Sequence, residues 1–406
     1  MTPDRYAEIR AAHRWDVPRD FNIARACCGR WAGDRARFAL YWKDESGAAA
    51  KYTFWDLQRE ANRLSNALAA CGVGRGDMVA STRHDQPADW TWIGGLMDAL
   101  LPTLYFGQPT IGYRGRFDPE RAFALIEKYG IRNAFLFPTA LKLTMKAFPC
   151  PRDRFDLHLP SIMSAVEAAG TTAFDWTRDA LGATINEMFG QTEMNCSVGN
   201  SHTLWSAKPG SAGLPYPGHR IALIDDEGHE ISGDEIGEVV VHRIAPDGTP
   251  DPVFFIGYFG NPEGTTNKFR GDWCRTVDLA RCDAEGYLWY QGRADDMFKA
   301  AEYRIGPSAI ENCLVRHAAV ATAAVVASPD ELRGNIVKAF IALTAVHEPS
   351  PALEDDIQQH VRRFLAPYAF PREIEFIDAL PMTTTGKVQR RVLRERERKA
   401  APGSRR

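Results

Sequence analysis

The chain has 406 residues, of which 45% are hydrophobic and 25% charged, with a formal net charge of -3. That length holds two or three domains and at least one large core, and the composition is ordinary for a soluble globular protein. The near-neutral balance provides no field for nucleic acid or an anionic membrane, no run of about 18 apolar residues occurs, and the eight cysteines form no CxxC pair, which fits reduced thiols in a cytoplasm.

In chain order, "TFWDLQREANRLSNALAAC" (53–71) predicts a helix. Thr53 and Asp56 fit a capping pattern, Leu57, Ala61, Leu64 and Leu68 make one apolar face, and Gly72 ends it. The short apolar run Met78–Ala80 gives way to polar "STRHDQPAD". Asp118 and Pro119 open a second helix that stops at Gly130, "NAFLFP" reads as a buried strand, and Thr172–Leu181 is a further helix before the strand-like "ATINEMF". This alternation argues for an α/β domain with some parallel pairing. From about residue 210, "HRIALIDDEGHEI", "GEVVVHR" and "CRTVDLARCDAEGYLWYQGR" read as antiparallel hairpins of a β-rich unit. After "GRADD" come a helix at Pro307–Val315, the strands "AVATAAVVAS" and "KAFIALTAV", a helix from Leu353 to Phe364 and the strand "REIEFID". The expected organisation is a large α/β domain over 1–294, with a β-rich subdomain at 210–294, and a small α+β domain over 295–406.

Four stretches carry chemistry. "FGQTEMN" (Phe189–Asn195) lies where a strand ends, the usual ligand position in α/β sheets. Its aromatic ring, threonine hydroxyl and carboxylate suit a base, a phosphate and Mg²⁺, although a polar turn has the same composition. "TVDLA" sets Asp278 among apolar neighbours, as a ribose acceptor or a turn cap. "GRADD" offers Arg293, a fixed cation, and Asp295 at the proposed domain boundary, alternatively a surface ion pair. "PMTTTGKVQRR" (Pro381–Arg391) is not a phosphate-cradling P-loop, since Pro381 stands where the first glycine belongs and Val388 follows the lysine. On its own this stretch reads as a surface turn with Lys387 solvated.

Taken together and in this order, "PADWTWIGGL", "RFDPERAFALIEKYGIRNAFLFPTAL", "FGQTE", "TVDLA", "GRADDMFKAAEYRIGP", "AIE" and "PMTTTGKVQRR" resemble the AMP-forming acyl-CoA synthetases of the adenylate-forming ligase superfamily, over nearly the whole chain. The resemblance implies an enzyme that activates a carboxylic acid with Mg·ATP to an acyl-adenylate. It then rotates a small C-terminal domain and transfers the acyl group to coenzyme A. By the same resemblance Phe189, Gly190, Gln191 and Thr192 hold the nucleotide, Thr192 meets the phosphate, and Glu193 helps hold Mg²⁺. Asp278 and Arg293 take the ribose hydroxyls, Asp295 is the hinge, and Glu302, Tyr303 and Arg304 line the path of coenzyme A. Lys387 swings in to bridge carboxylate and phosphate oxygens during adenylation, where a mobile loop lets a point charge meet developing negative charge. Gly190 stands where acetate-specific relatives carry tryptophan, which implies a medium-chain or branched acid.

The chain also departs from the family. The Ser/Thr/Gly-rich loop ending in lysine that wraps the β- and γ-phosphates is missing between "GDMVAS" and "PADWTW", a gap of the order of a hundred residues, a small domain's worth. "EGTTNK" (Glu263–Lys268) has some of that composition but falls where the family has an ordinary turn. Val166, Val277 and Glu302 each replace a usual glycine, and Glu302 narrows the pantetheine path. The alternatives are a non-catalytic remnant that binds nucleotide or an acyl group, and an adenylating enzyme with a carrier-protein acceptor.

Overall fold

In the computed structural model the described residues are 5–74, 90, 94–165, 169–300, 303–330, 334–365, 369–382 and 388–400. They divide into two compact units, one built from residues 16–118 and the other from the remainder of the chain.

The first unit is organised on a three-stranded sheet in the order β2–β1–β3, made of β1 (Phe38–Asp44), β2 (Ala49–Thr53) and β3 (Thr110–Arg114). The β1–β2 pair is antiparallel and the β1–β3 pair parallel. The helix Phe54–Ala70 starts where the capping box requires, with Thr53 and Asp56 exchanging hydrogen bonds. Its predicted apolar face is a different matter. Only Phe54 is buried, and Leu64 is 62% exposed. Leu57 packs against the buried cluster of Cys27, Ala39, Phe54 and Leu104, whereas Ala61 and Leu64 further along the stripe are exposed.

The second unit begins with the parallel strands β4 (Asn133–Phe135), β5 (Ser161–Ser164) and β6 (Thr184–Gln191), extended antiparallel by β7 (Asn195–Gly199) and β8 (Leu214–Pro215). Ile162 and Ile185 face the helices Pro119–Tyr129, Pro138–Ala147 and Thr171–Trp176, whose Phe123, Leu141 and Phe174 close the core. The last of these helices continues as a wider turn over Thr177–Leu181. A second sheet holds β9 (Ile221–Ile224), β10 (Glu230–Ile231), β11 (Gly237–His242), β12 (Phe269–Arg270), β13 (Trp273–Cys282) and β14 (Leu288–Arg293), all antiparallel as the hairpin patterns predict. Beyond it lie the hairpin β15 (Phe298–Ala300) and β16 (Tyr303–Ile305), then a sheet of β17 (Val320–Asp330), β18 (Gly334–Leu343) and β19 (Glu373–Phe376). The helices Pro307–Val315 and Pro351–Phe364 pack on this last sheet through Ile310, Leu314, Ile357 and Val361. The protein is therefore an α/β fold with a large N-terminal part and a small C-terminal α+β domain. No helix of the described residues is long and apolar enough to cross a membrane.

Candidate nucleotide and acyl-activation site

The site is built on two strand irregularities. The first joins β6 to β7. Met194 N donates to Gln191 O at 3.1 Å and Asn195 follows with φ of 51°, a three-residue loop closed by a left-handed residue. Asparagine tolerates that conformation better than most side chains. Thr192, exposed, and Glu193 are thereby presented at the tip. Gly190 lies in the adjoining bulge, where a Cβ would meet Asn195 O at 1.8 Å. Glycine is demanded there by the approach of two backbones.

The second irregularity lies in β13. Its register with β11 shifts between Glu238 and Val240, and Val277 takes φ of 63°. Asp278 N donates to Thr276 Oγ1 at 3.0 Å, and Thr276 Oγ1 donates to Val239 O at 2.6 Å. Such a bulge re-aims its side chains. Asp278 is 6% exposed and stands opposite Arg293 of β14, with the Arg293 guanidinium 3.8 Å from Asp278 Oδ1.

Gln191 connects the two. Its Nε2 donates to Asp278 Oδ2 and to Thr276 O, both at 2.6 Å. Its Oε1 accepts from Lys268 Nζ at 2.7 Å. Tyr290 donates to Asp278 Oδ1 at 3.3 Å, and its ring centre lies 6.5 Å from that of Phe189. Burial, and secondarily the Asp278 charge, push the Tyr290 phenol well above its ordinary range, so it stays a neutral donor. Tyr258 donates to Glu193 Oε1, and Phe255 N donates to Glu193 O at 2.9 Å. Arg293 forks onto Asp295 at 2.8 and 3.3 Å. Burial raises the Asp295 carboxyl, but the Arg293 hydrogen bond together with the charges of Arg293 and Arg394 holds it below the usual range. Arg394 ties the same turn to the C-terminal helix, donating to Asp295 O at 3.3 Å and to Asp296 Oδ1 at 2.6 Å.

Phe189, Gly190, Gln191, Thr192, Glu193, Asp278, Arg293 and Asp295 thus fall on one connected set of strands and turns. Tyr303 and Arg304 lie in β16. Lys387 and Glu302 lie outside the described residues, as do Val166 and the stretch between "GDMVAS" and "PADWTW". Val388, next to Lys387, lines a cavity of ≈ 70 Å³ with Tyr290, Arg293 and Glu311. Sequence reasoning did not single out Tyr258 or Tyr290, and it met Lys268 and Thr276 only as the ends of "EGTTNK" and "TVDLA", with no role at this site. "EGTTNK" forms the short helix Pro262–Asn267, capped by Asn261, and delivers Lys268 to the Gln191–Glu193 tip, not to a phosphate-wrapping loop. For Mg²⁺, no group of three or more His, Cys, Asp or Glu among the described residues could hold it. A single carboxylate, Glu193, beside the Thr192 hydroxyl matches the habit of Mg²⁺ of taking one or two protein oxygens and completing its shell with phosphate and water.

Comparison with known proteins decides the family. The profile of AMP-binding enzymes matches residues 82–245, starting directly after "GDMVAS", and that of the AMP-binding enzyme C-terminal domain matches 309–387. The chain belongs to the AMP-forming acyl-CoA synthetases of the adenylate-forming superfamily. It is 36% identical over 338 residues to the uncharacterized acyl-CoA ligase YtcI of Bacillus subtilis, covering 83% of this chain and 61% of that protein. It is 36% identical over 328 residues to 4-hydroxybutyrate–CoA ligase 1 of Metallosphaera sedula, covering 80% and 56%. It spans little more than half the length of these relatives. Among solved structures, the acyl-CoA synthetase of Brucella canis aligns with a TM-score of 0.66 at 25% identity over 98% of this chain and 100% of that one. An anthranilate CoA ligase in complex with anthranoyl-AMP shares the fold, with a TM-score of 0.82 at 22% identity over 94% and 98%.

Proposed function

We propose that this chain is an acid–thiol ligase that activates a carboxylic acid with Mg·ATP to an acyl-adenylate and passes the acyl group to coenzyme A. The observation that carries the reading is the convergence of Gln191, Asp278 and Arg293, with Asp278 6% exposed and held by an amide, a phenol and a guanidinium. In this reading Asp278 and Arg293 hold the ribose and Phe189 packs on the base. Thr192 meets the α-phosphate, Glu193 shares Mg²⁺ with the phosphates, and Lys387 neutralises charge developing during adenylation. Asp295 is the hinge between a 1–294 body and a 295–406 lid, and Glu302, Tyr303 and Arg304 border the coenzyme A path. The acid is medium-chain or branched, because no indole occupies position 190.

A second reading, a nucleotide-binding remnant without full turnover, is favoured by one observation: the family match begins at residue 82, where the phosphate loop is missing. Losing one preorganised donor commonly lowers rate by about 10²–10³-fold, and that loop supplies several. The two readings share the prediction that AMP binds at least as well as ATP. They part on pyrophosphate release with acid and Mg·ATP. Release abolished by Lys387→Ala supports the ligase; AMP binding without release supports the remnant; no binding of AMP or ATP overturns both.

A further inference from the structure

Lys268 stands beside the Gln191 amide and the Glu193 carboxylate of the site without a role in the reading above. It follows the short helix Pro262–Asn267, its backbone oxygen accepts from Arg275 N at 2.9 Å, and its side chain is 12% exposed. The ammonium donates to Gln191 Oε1 at 2.7 Å and lies 3.9 Å from Glu193 Oε1. The same segment supplies the two contacts of Tyr258 and Phe255 to Glu193. Among the described residues, Phe255, Tyr258 and Lys268 all anchor the Gln191–Glu193 tip from the one segment 255–268.

We propose that Lys268 is a positioning residue for the nucleotide site. An amide has two ends of opposite polarity, and only one arrangement satisfies both neighbours here. Lys268 offers donors alone, so Gln191 turns its oxygen to Lys268 and its NH₂ to the acceptor-only carboxylate of Asp278. The resulting chain, ammonium to amide to carboxylate, is charge-assisted at both ends, and each link polarises the next. It leaves Asp278 Oδ1 on the side of Tyr290 and Arg293. The same ammonium is the fixed counter-charge of Glu193 before any metal arrives, so it holds the tip in place and weakens Mg²⁺ binding to Glu193 in the absence of nucleotide.

This rests on the proposed nucleotide site, and it predicts effects of opposite sign that a packing defect does not produce. In Lys268→Met, AMP binding measured by calorimetry without metal weakens about tenfold, the scale of a lost hydrogen bond to a charged group. Mg²⁺ binding measured without nucleotide tightens. Lys268→Arg, which keeps the charge and the donor, restores both. Weakening of AMP and Mg²⁺ together with a lowered melting temperature, or a Met variant that binds AMP like the parent chain, overturns the inference about Lys268 while leaving the site reading intact. A parent chain that binds neither AMP nor ATP overturns the site reading, and this inference with it.

Discussion

Val277 provides the sharpest test of how the site is held, because its backbone runs against its side chain. At φ of 63° it occupies the left-handed region, where a β-branched residue is a genuine outlier. The backbone cannot relax. Val277 N donates to Glu238 Oε1 at 2.8 Å and Val277 O accepts from Ala294 N at 2.8 Å. For any residue with a Cβ the left-handed conformation costs roughly 1–2 kcal/mol, and glycine is free of it. Glycine loses about 0.5–1 kcal/mol more chain entropy on folding than alanine. The balance makes Val277→Gly more stable than Val277→Ala by about 0.5–1 kcal/mol, the reverse of the order in an ordinary strand. Comparing the two truncations removes most of the uncertainty in what the half-buried isopropyl group contributes, since both delete it. Urea melts of the two variants at equal m-value read the difference directly. If Val277→Ala is the more stable, the strain assigned to this bulge is wrong. Because Asp278 is the next residue, the glycine variant should also keep AMP affinity within about twofold, as differential binding near 0.4 kcal/mol would do.

Other consequences are open to measurement. Gly190→Ala forces a Cβ against Asn195 O, 1.8 Å away, so the tip must open; stability falls by about 1–3 kcal/mol and AMP binding is lost, and an alanine variant with unchanged affinity would falsify the close-approach argument. Arg293→Lys keeps the charge but loses the fork onto Asp295, and AMP affinity should fall about tenfold by calorimetry. Glu187 is buried, its carboxyl raised by desolvation to about 7 against the hydrogen bonds of Ala169 and Gly210 and the charge of Lys142. The folded chain thus retains a proton that the unfolded chain, with its ordinary value of 4.5, has released. This stability is fully present below about pH 4.5 and is lost as pH rises through about 7, an effect of about 3 kcal/mol. Glu187→Gln should flatten that slope; melts at pH 5 and pH 8 whose difference matches the parent's would refute the assignment.

Local signals carried most of the fold. The helix Phe54–Ala70 is announced by its own capping box, and the hairpins of β9–β14 by turn residues lying between alternating runs. What stayed hidden was long-range. Leu64 reads as a core residue from spacing alone, yet spacing does not name the surface that covers it. The candidate site divides in the same way. Phe189–Glu193, Asp278 and Arg293 stand out because each stretch puts an acid, an amide or a guanidinium beside apolar residues. Tyr258 and Lys268 come from a polar loop 65 and 77 residues away from the groups they bind, and a lysine on a turn looks solvated until the turn is folded. The composition of "EGTTNK" pointed to a different role; the cue to this one was the lysine's position directly before β12, which pairs with the strand carrying Asp278.

Among the described residues, only Asn195 and Val277 are non-glycine residues with positive φ. One closes the hairpin loop that carries Glu193, beside the Gly190 bulge, the other sits in the β13 bulge directly before Asp278, and Gln191 spans from the first irregularity to the second. A regular ladder would send successive side chains to alternate faces, so Gln191 on β6 and Asp278 on β13 would meet only by coincidence of register. Each bulge adds residues to one strand alone and rotates the side chains that follow. Two adjustable rotations are enough to bring an amide and a carboxylate from different sheets to 2.6 Å. Conformations of this kind cost energy and persist only where surrounding contacts over-determine them, which here are the bonds from Glu238, Ala294, Thr276, Phe255 and Lys268. Strain and support coincide at one place in the chain. That coincidence is a physical reason, independent of any likeness to other proteins, for the site proposed there.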